Sequence, residues 1–599
     1  MRIYKNSEPY KICFHIKGDI LPPDLAIVKS ILLDDSSEFK PNDNFLENHI
    51  EIGPRNNFKT PWNSNVIQIF KRCGINSIES IEYSTLYPKS IDLNYDTMLL
   101  TKYTSNTSIN KEFVKTFYVK SIKEFNEHYK LGFDQQDISY YDDIFNSLGR
   151  SPTNVELYDL SQSNSEHSRH WFFNGNYNIY SRKNNELDYT KKSDFVSLFQ
   201  KIKSTNLFPD CNSLIAFKDN ASSIIGYEVD NLIVNENNQY GLYYEKINPT
   251  HTAETHNFPT GICPFPGAST GTGGRIRDQI SIGRGGRFVS GYVGYSVGSL
   301  FNKDAQEIYP CKKPEDILIQ ASNGASDYGN KIGEPVTLGY TRSFGMHINN
   351  NFNQNNPKEQ KYFDLNPNDL HKEFTRYEYV KPIMYSGGIG MLNQCNVKKG
   401  NTELGCLVVR VGGPAYNIGL GGGSASSRNQ DTKNESLDFN AVQRGDPQME
   451  NKVSRFVEVC SNLEYNPIIS IHDQGSGGMG NVTKEIMEPN GGIVTLNKVN
   501  LGEPNLSSNI IWNAEYQEQC TILINYKDIK LIKTIAEKEN VNLEFVGVIT
   551  DSGKIDVHNK NDKILKTVDF NLKQVLEHIP TKEYNVIKND ENNLERISY

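Results

Sequence analysis

Residues 250–287 constrain this chain more than any other stretch. Glu254, His256 and Asn257 stand within four residues, and prolines follow at 259, 264 and 266. Then come Gly267-Ala-Ser-Thr-Gly-Thr-Gly-Gly274, Arg275, Arg277, Asp278, Arg284 and Arg287. Proline breaks helices and removes ladder donors, and glycine costs entropy unless unusual dihedrals or close backbone approach require it. The stretch is therefore predicted as a binding loop. Backbone N–H groups among small residues can close around phosphate oxygens, and arginines add bidentate charge. Glu254 and Asp278 are hard oxygen ligands of the kind Mg²⁺ shares with phosphates, and His256 can take a proton near neutral pH. Together these parts describe phosphoryl transfer from a nucleotide. No Gly-Lys-Ser/Thr follows, so this is not a Walker loop, and Ile276 stands where a dinucleotide fingerprint needs its third glycine.

The chain's 599 residues allow several domains. A net charge of −9 argues against general nucleic-acid affinity. Nine scattered cysteines without Cys-x-x-Cys fit reduced thiols and a cytoplasmic setting better than a disulfide framework. The start of the chain lacks a signal-peptide apolar core, and no apolar run is long enough to span a membrane.

Strands are predicted at Lys11–Ile16 and Ile78–Tyr87, with helices at Asp24–Leu33 and Trp62–Gly74, which reads as an α+β module. Helices are expected at Asp137–Leu148 and after Ser151-Pro-Thr-Asn154, leading into Ser161-Gln-Ser-Asn-Ser-Glu-His-Ser-Arg-His-Trp-Phe-Phe-Asn174. There His167 and His170 read either as half of a metal site or as a polar helix end over an aromatic cluster. Val289–Leu300 is predicted as a strand, Ala321–Pro335 as a Gly/Asn-rich turn and 348–372 as an exposed insertion. Gly405–Gly413 reads as a buried strand running into Gly419–Ser427, a glycine loop open to two readings, anion binding or tight packing. Ala441–Glu450 leads a helix, and Asp473 closes a strand before glycines, a suitable place for a metal ligand.

Glu254-Thr-His-Asn-Phe-Pro-Thr-Gly261 and Gly267-Ala-Ser-Thr-Gly-Thr-Gly-Gly-Arg-Ile-Arg-Asp278 closely resemble the large, single-chain type of phosphoribosylformylglycinamidine synthase, amino-terminal portion. Gly53–Trp62, Ser165-Glu-His167, Ala216–Ser223 and Tyr379–Gly390 extend the resemblance over roughly 50–580. It implies a multidomain α+β fold: an amino-terminal domain (1–128), a helical linker (129–178), ATP-binding (179–398) and C-terminal (399–585) domains like those of aminoimidazole ribonucleotide (AIR) synthetase, and a tail (586–599). It implies ATP-dependent conversion of formylglycinamide ribonucleotide to its amidine with glutamine-derived ammonia, through a phosphorylated amide, and ATP and Mg²⁺ as cofactors. By the same resemblance His167 and His256 are catalytic, and Glu254, Asp278 and Asp473 hold metal. ATP would meet Gly267, Ala268, Ser269, Thr270, Gly271, Thr272, Gly273, Gly274, Arg275, Ile276, Arg277 and Asp278, with His170 a nucleotide contact. Substrate would meet Thr255, Asn257, Phe258, Arg277, Gln443, Glu515, Tyr516 and Gln517, with Arg277 clamping an anion. Phe258 departs from the pattern, since many bacterial relatives carry a second His there.

The family repeats its catalytic module and adds a glutaminase, and neither a second glycine-rich loop nor Gly-x-Cys-x-Gly is found here. The expected partners are a second synthetase half and an ammonia-supplying glutaminase. Three readings follow: part of an enzyme, a silent or partner-dependent half, or another ATP-dependent member of the AIR synthetase superfamily. The Ser-Glu-His linker and long amino-terminal module argue against the third.

Overall fold

The computed structural model describes residues 2–589 except 8–9, 34–48, 56–59, 92, 94, 97–98, 104–114, 184–185, 189–196, 235–238, 301–310, 350–373, 428–434, 504–505 and 563. Most of the insertion expected at 348–372 and of the tail at 586–599 therefore lies outside the described residues. The chain divides into two compact units. One is Met1–Lys115 with Pro414–Ile418 and Val499–Ile511, and the other is the remainder. The boundaries expected after 128, 178 and 398 fall within the second unit.

The first unit is built on a five-stranded antiparallel sheet of β1 (Arg2–Ser7), β2 (Tyr10–Gly18), β3 (His49–Pro54), β4 (Ile78–Pro88) and β5 (Leu100–Lys102), in the order β1-β2-β4-β3-β5. Phe14, Ile16, Ile78 and Ile81 alternate onto one face and pack against Val28 of the Leu25–Leu32 helix and Phe70 of the Pro61–Arg72 helix. Thr60 caps the latter, its hydroxyl accepting from Asn63 N at 3.0 Å, and Pro61 occupies the first turn, where a missing N–H costs nothing.

The second unit opens with helices Ile122–Tyr129, Gln135–Ser147 and Asn154–Ser163. The last two start with capping boxes, Asp134 with Asp137 and Thr153 with Glu156. The turns Glu166–Arg169 and Trp171–Asn174 lead to β6 (Asn176–Lys183) and β7 (Glu186–Asp188). Next come β8 (Ser213–Ile215), β9 (Ser222–Ile224), β10 (Tyr227–Val234), β11 (Tyr240–Thr255), β12 (Arg287–Val297), β13 (Val336–Ser343), β14 (Gly345–Asn349), β15 (Phe374–Glu378) and β16 (Ile383–Asn393). A seven-stranded sheet runs β13-β12-β16-β11-β9-β8, with β10 also paired to β11, while β14 and β15 pair separately. A second seven-stranded sheet, β18-β20-β17-β21-β19-β22-β23, takes β17 (Leu407–Gly412), β18 (Ser470–Asp473), β19 (Gly492–Thr495), β20 (Gln519–Ile524), β21 (Leu543–Ile549), β22 (Lys554–His558) and β23 (Lys566–Asn571). Val409, Val411 and Ile522 of this sheet pack on Phe456 and Val457 of the Pro447–Asn462 helix. β24 (Glu583–Asn589) lies parallel to β6, which also pairs with β7.

Mixed α+β architecture is as expected, but two expected irregular stretches are helices. Residues 264–280 form one 17-residue helix, Pro264–Ile280, and the predicted turn at 321–335 lies largely within the 19-residue helix Pro314–Ile332. The two pack together through Ala268, Ala321 and Ala325. A side chain on Gly324 would run into the main chain of Phe265. Each glycine costs a helix about 1 kcal/mol, but close helix–helix approach recovers it through contacts a larger residue would forbid. Pro264 sits in the first turn, where proline is tolerated.

Candidate functional site

β11 delivers Thr252 and Glu254 to the face of the first seven-stranded sheet that meets the Pro264–Ile280 helix, and that helix presents Asp278 back to them. Asp278 accepts from Thr252 Oγ1 at 2.8 Å, and Glu254 stands close enough to raise its proton affinity. Asp473, at the end of β18, accepts from the Asn220 amide and lies 3.7 Å from Arg277 Nε. The Asp278 carboxyl is pushed well above the usual carboxylate range by burial, then by Glu254 and Asp473. Burial raises Asp473 too; Glu254 adds to the rise and Arg277 opposes it. Three neighbouring acids, two of them raised in proton affinity, form a donor set suited to a divalent cation.

His256 follows β11 directly. Its N–H donates to Met384 O at 3.0 Å, and its ring Nδ1 lies 2.6 Å from Gly267 O. A carbonyl only accepts, so Nδ1 carries the proton and the Nε2 lone pair is left to act as a base. Burial lowers the affinity of the ring for a second proton, partly offset by Glu254. His167, exposed on the turn after the linker helix, is within Coulombic reach of His256, Asp473 and Glu515. His170 has φ +51°, and its ring stacks on Phe199 at 5.9 Å.

The glycine-rich run is not the loop expected from its composition. Within Gly267–Asp278 only Gly274 is more than marginally accessible. The interior N–H groups of a helix bond to their own turn, so they do not form a phosphate cradle. The small residues serve packing instead: a side chain on Gly267 would strike the main chain of Pro259, and one on Gly273 would stand 2.7 Å from Tyr328 Oη. Ala268 and Ile276 are core residues. Ser269 Oγ donates to Gly324 O at 2.9 Å, Thr270 Oγ1 donates to Pro266 O at 2.9 Å, and Thr272 is fully buried.

The arginines are also committed. Arg275 is fully buried, with Nη2 2.5 Å from Glu334 Oε2 and Nη1 2.7 Å from Ser386 Oγ. Arg277, expected to clamp a substrate anion, instead pairs with Glu518 and with Glu450 at 3.1 Å, and Tyr328 donates to Glu450 at 2.9 Å. Glu450, Tyr328, Glu334, Asn220 and Glu518 carry no functional signal in the linear chain, because each meets its partner only across the fold.

Among the residues expected to meet substrate, Glu515 accepts from Gly423 N at 3.2 Å, Gly477 N at 3.1 Å and the Gln443 amide. Ser424 N donates to Gln162 Oε1 at 3.1 Å. The Gly419–Ser427 stretch, which ends in the short helix Gly422–Ser427, thus spends these donors on the protein's own side chains. Gln517 Nε2 donates to Glu515 O at 3.3 Å. Asn257 Oδ1 accepts from Met384 N at 2.9 Å, and Thr255 is exposed at the end of β11. The two aromatic residues among the expected substrate contacts are packed into the interior: Phe258 sits among Ile262, Ala425 and Val442, and Tyr516 lies under the Arg410 guanidinium at 5.2 Å. Asp219 pairs with Lys399 at 2.7 Å and accepts from Gly283 N at 2.9 Å. Lys218 lines a cavity of about 420 Å³ with Lys398 and Lys399.

Three family models match the chain. They are the formylglycinamide ribonucleotide amidotransferase N-terminal domain over 14–106, its linker domain over 122–170, and the AIR synthase related protein C-terminal domain over 403–560. Phosphoribosylformylglycinamidine synthase of Dictyostelium discoideum is 40% identical over 96% of this chain and 43% of its own length. The Homo sapiens synthase is 36% identical over 92% of this chain and 43% of its own length. The chain thus spans about two-fifths of the length of the curated relatives it matches. Among solved structures, T. maritima PurL complexed with FGAR is 20% identical, with a TM-score of 0.50, covering 77% of this chain and 59% of that one, a likeness of fold.

Proposed function

The chain belongs to the phosphoribosylformylglycinamidine synthase family, and on that premise we propose that it is one synthetase half that phosphorylates the amide oxygen of formylglycinamide ribonucleotide with ATP. Phosphorylation converts that oxygen into a leaving group, and ammonia displaces phosphate to give the amidine. The observation that carries this reading is the meeting of Glu254 and Asp278 beside His256. Glu254, Asp278 and Asp473 would hold Mg²⁺, which neutralises phosphate charge when bound. His256 Nε2 would accept a proton, and His167, whose charge acts on His256, would orient or relay it. Gln443 and Gln517 both bond to Glu515, a buried polar cluster that would meet the ribonucleotide. Gly274, the accessible position within Gly267–Asp278, is where a nucleotide would approach.

A partner-dependent half is the second reading, and the exposed sheet face favours it. Tyr227, Ile389, Leu338 and Tyr340 stand on the face of the first seven-stranded sheet opposite Glu254, and Leu338 is 72% exposed. A second synthetase half is its proposed occupant, with ammonia delivered by a separate glutaminase.

The test measures ADP release by the purified chain with ATP, formylglycinamide ribonucleotide and ammonium, alone and with the missing half supplied. Turnover with ammonium, lost in His256→Ala, supports the proposal. ADP release unchanged in that variant overturns it, and glutamate release from glutamine by this chain alone would contradict the need for a separate glutaminase.

A further inference from the structure

The amino-terminal unit carries a polar cluster that plays no part in the site above. Cys13 and His15 are two residues apart on β2, so they share a face of the sheet. It is the face opposite Phe14 and Ile16. Ser84 of β4 lies directly across from Cys13, and β3 brings Glu51 alongside, across from Leu86. Among the described residues this is the only group of three Cys, His, Asp or Glu whose donor atoms all lie within 4.8 Å of one another. His15 Nε2 is 2.9 Å from Glu51 Oε1. Ser84 Oγ lies 2.7 Å from the first of these atoms and 2.6 Å from the second. Cys13, Glu51 and Ser84 are at most 2% exposed, while the His15 side chain keeps 22% of its surface accessible.

We propose that Cys13, His15 and Glu51 bind a zinc ion, with a water held by the Ser84 hydroxyl as fourth donor. Thiolate, imidazole and carboxylate are the ligand types zinc takes. A thiolate and a carboxylate together neutralise the ion, so the buried site carries no net charge. Tetrahedral zinc sets its ligand atoms roughly 3.3–3.8 Å apart. The cluster reaches that spacing by small side-chain rotations on a backbone fixed by strand register. The accessible edge of His15 gives the ion its way in. The proposal concerns the first unit alone and does not depend on the synthetase reading.

The full chain, stripped of metal and dialysed against micromolar zinc, is expected to retain about one equivalent by mass spectrometry. Cobalt substitution should give a thiolate charge-transfer band and tetrahedral d–d bands. Cys13→Ser should abolish the charge-transfer band while the other eight cysteines remain. Glu51→Gln, nearly isosteric and checked for fold by circular dichroism, should weaken zinc at least tenfold, and Ser84→Ala about 10–100-fold. Chelation should lower the Tm of the wild-type chain but not of Glu51→Gln. A wild-type chain that retains no zinc overturns the proposal, as does a folded Cys13→Ser chain with an unchanged cobalt spectrum.

Discussion

The glycines of the Pro264–Ile280 helix show how one absent Cβ can serve different ends. At Gly267 a side chain meets the main chain of Pro259, which cannot move aside, whereas at Gly274 it would stand 3.4 Å from Glu254 Cγ, an ordinary contact. Gly267→Ala is therefore expected to destabilise by about 1–3 kcal/mol despite its better helix propensity. Gly274→Ala should be neutral or stabilising by up to about 1 kcal/mol, while weakening nucleotide binding if that face receives the ligand. Thermal melts and ATP titrations of the two variants separate packing from binding. Arg275 makes a similar point about charge. Its guanidinium read as a phosphate contact, yet it is held on Glu334 with both partners buried. Glu334→Gln should cost about 3–5 kcal/mol by stranding that charge, read as a large drop in Tm.

At the scale of elements, the caps at Thr60, Asp134 and Thr153 are local devices whose partners stand three residues away. The Pro447–Asn462 helix adds a titrating cap. Asp446 accepts from Met449 N at 3.1 Å, and burial, then Glu518, pushes its carboxyl up to about 6. A folded-state value above the unfolded one means the native chain binds more protons between about pH 4 and 6. Stability therefore falls as pH rises through that window and levels off above it. Asp446→Asn keeps an acceptor at the cap without the charge. It should melt higher than wild type above pH 6, by an amount worth up to about 3 kcal/mol, and the gap should close toward pH 4. A gap independent of pH would show that the carboxylate carries no such penalty. The two glycine-bearing helices are the opposite case. Local propensity disfavours them, and contact with other elements makes them stable.

For the whole molecule, the uncovered face of the first seven-stranded sheet is the feature with the largest consequence. An extended apolar surface of this kind marks an interaction site. Leu338→Glu and Ile389→Glu should leave the Tm of the isolated chain nearly unchanged. The same variants should weaken assembly with a second synthetase half, measured by sedimentation. Unchanged assembly in the double variant would place the interface elsewhere. Among the described residues no helix is long and apolar enough to cross a membrane, in keeping with the low hydropathy of the chain.

What the sequence determined by itself was the mixed α+β class and many element positions, because these rest on residue type and near-neighbour spacing. Glu254, His256, Asp278 and Asp473 were candidates on the same grounds, whereas His167 and Glu515 rested on the family resemblance. What only tertiary structure decided was which polar groups are free to meet a ligand. Arg275 and Arg277 are occupied by Glu334, Glu450 and Glu518, residues 59 to 241 positions away in sequence. The glycine run became a helix because facing surfaces needed room. Both outcomes depend on partners brought together by folding, and no window of sequence contains them.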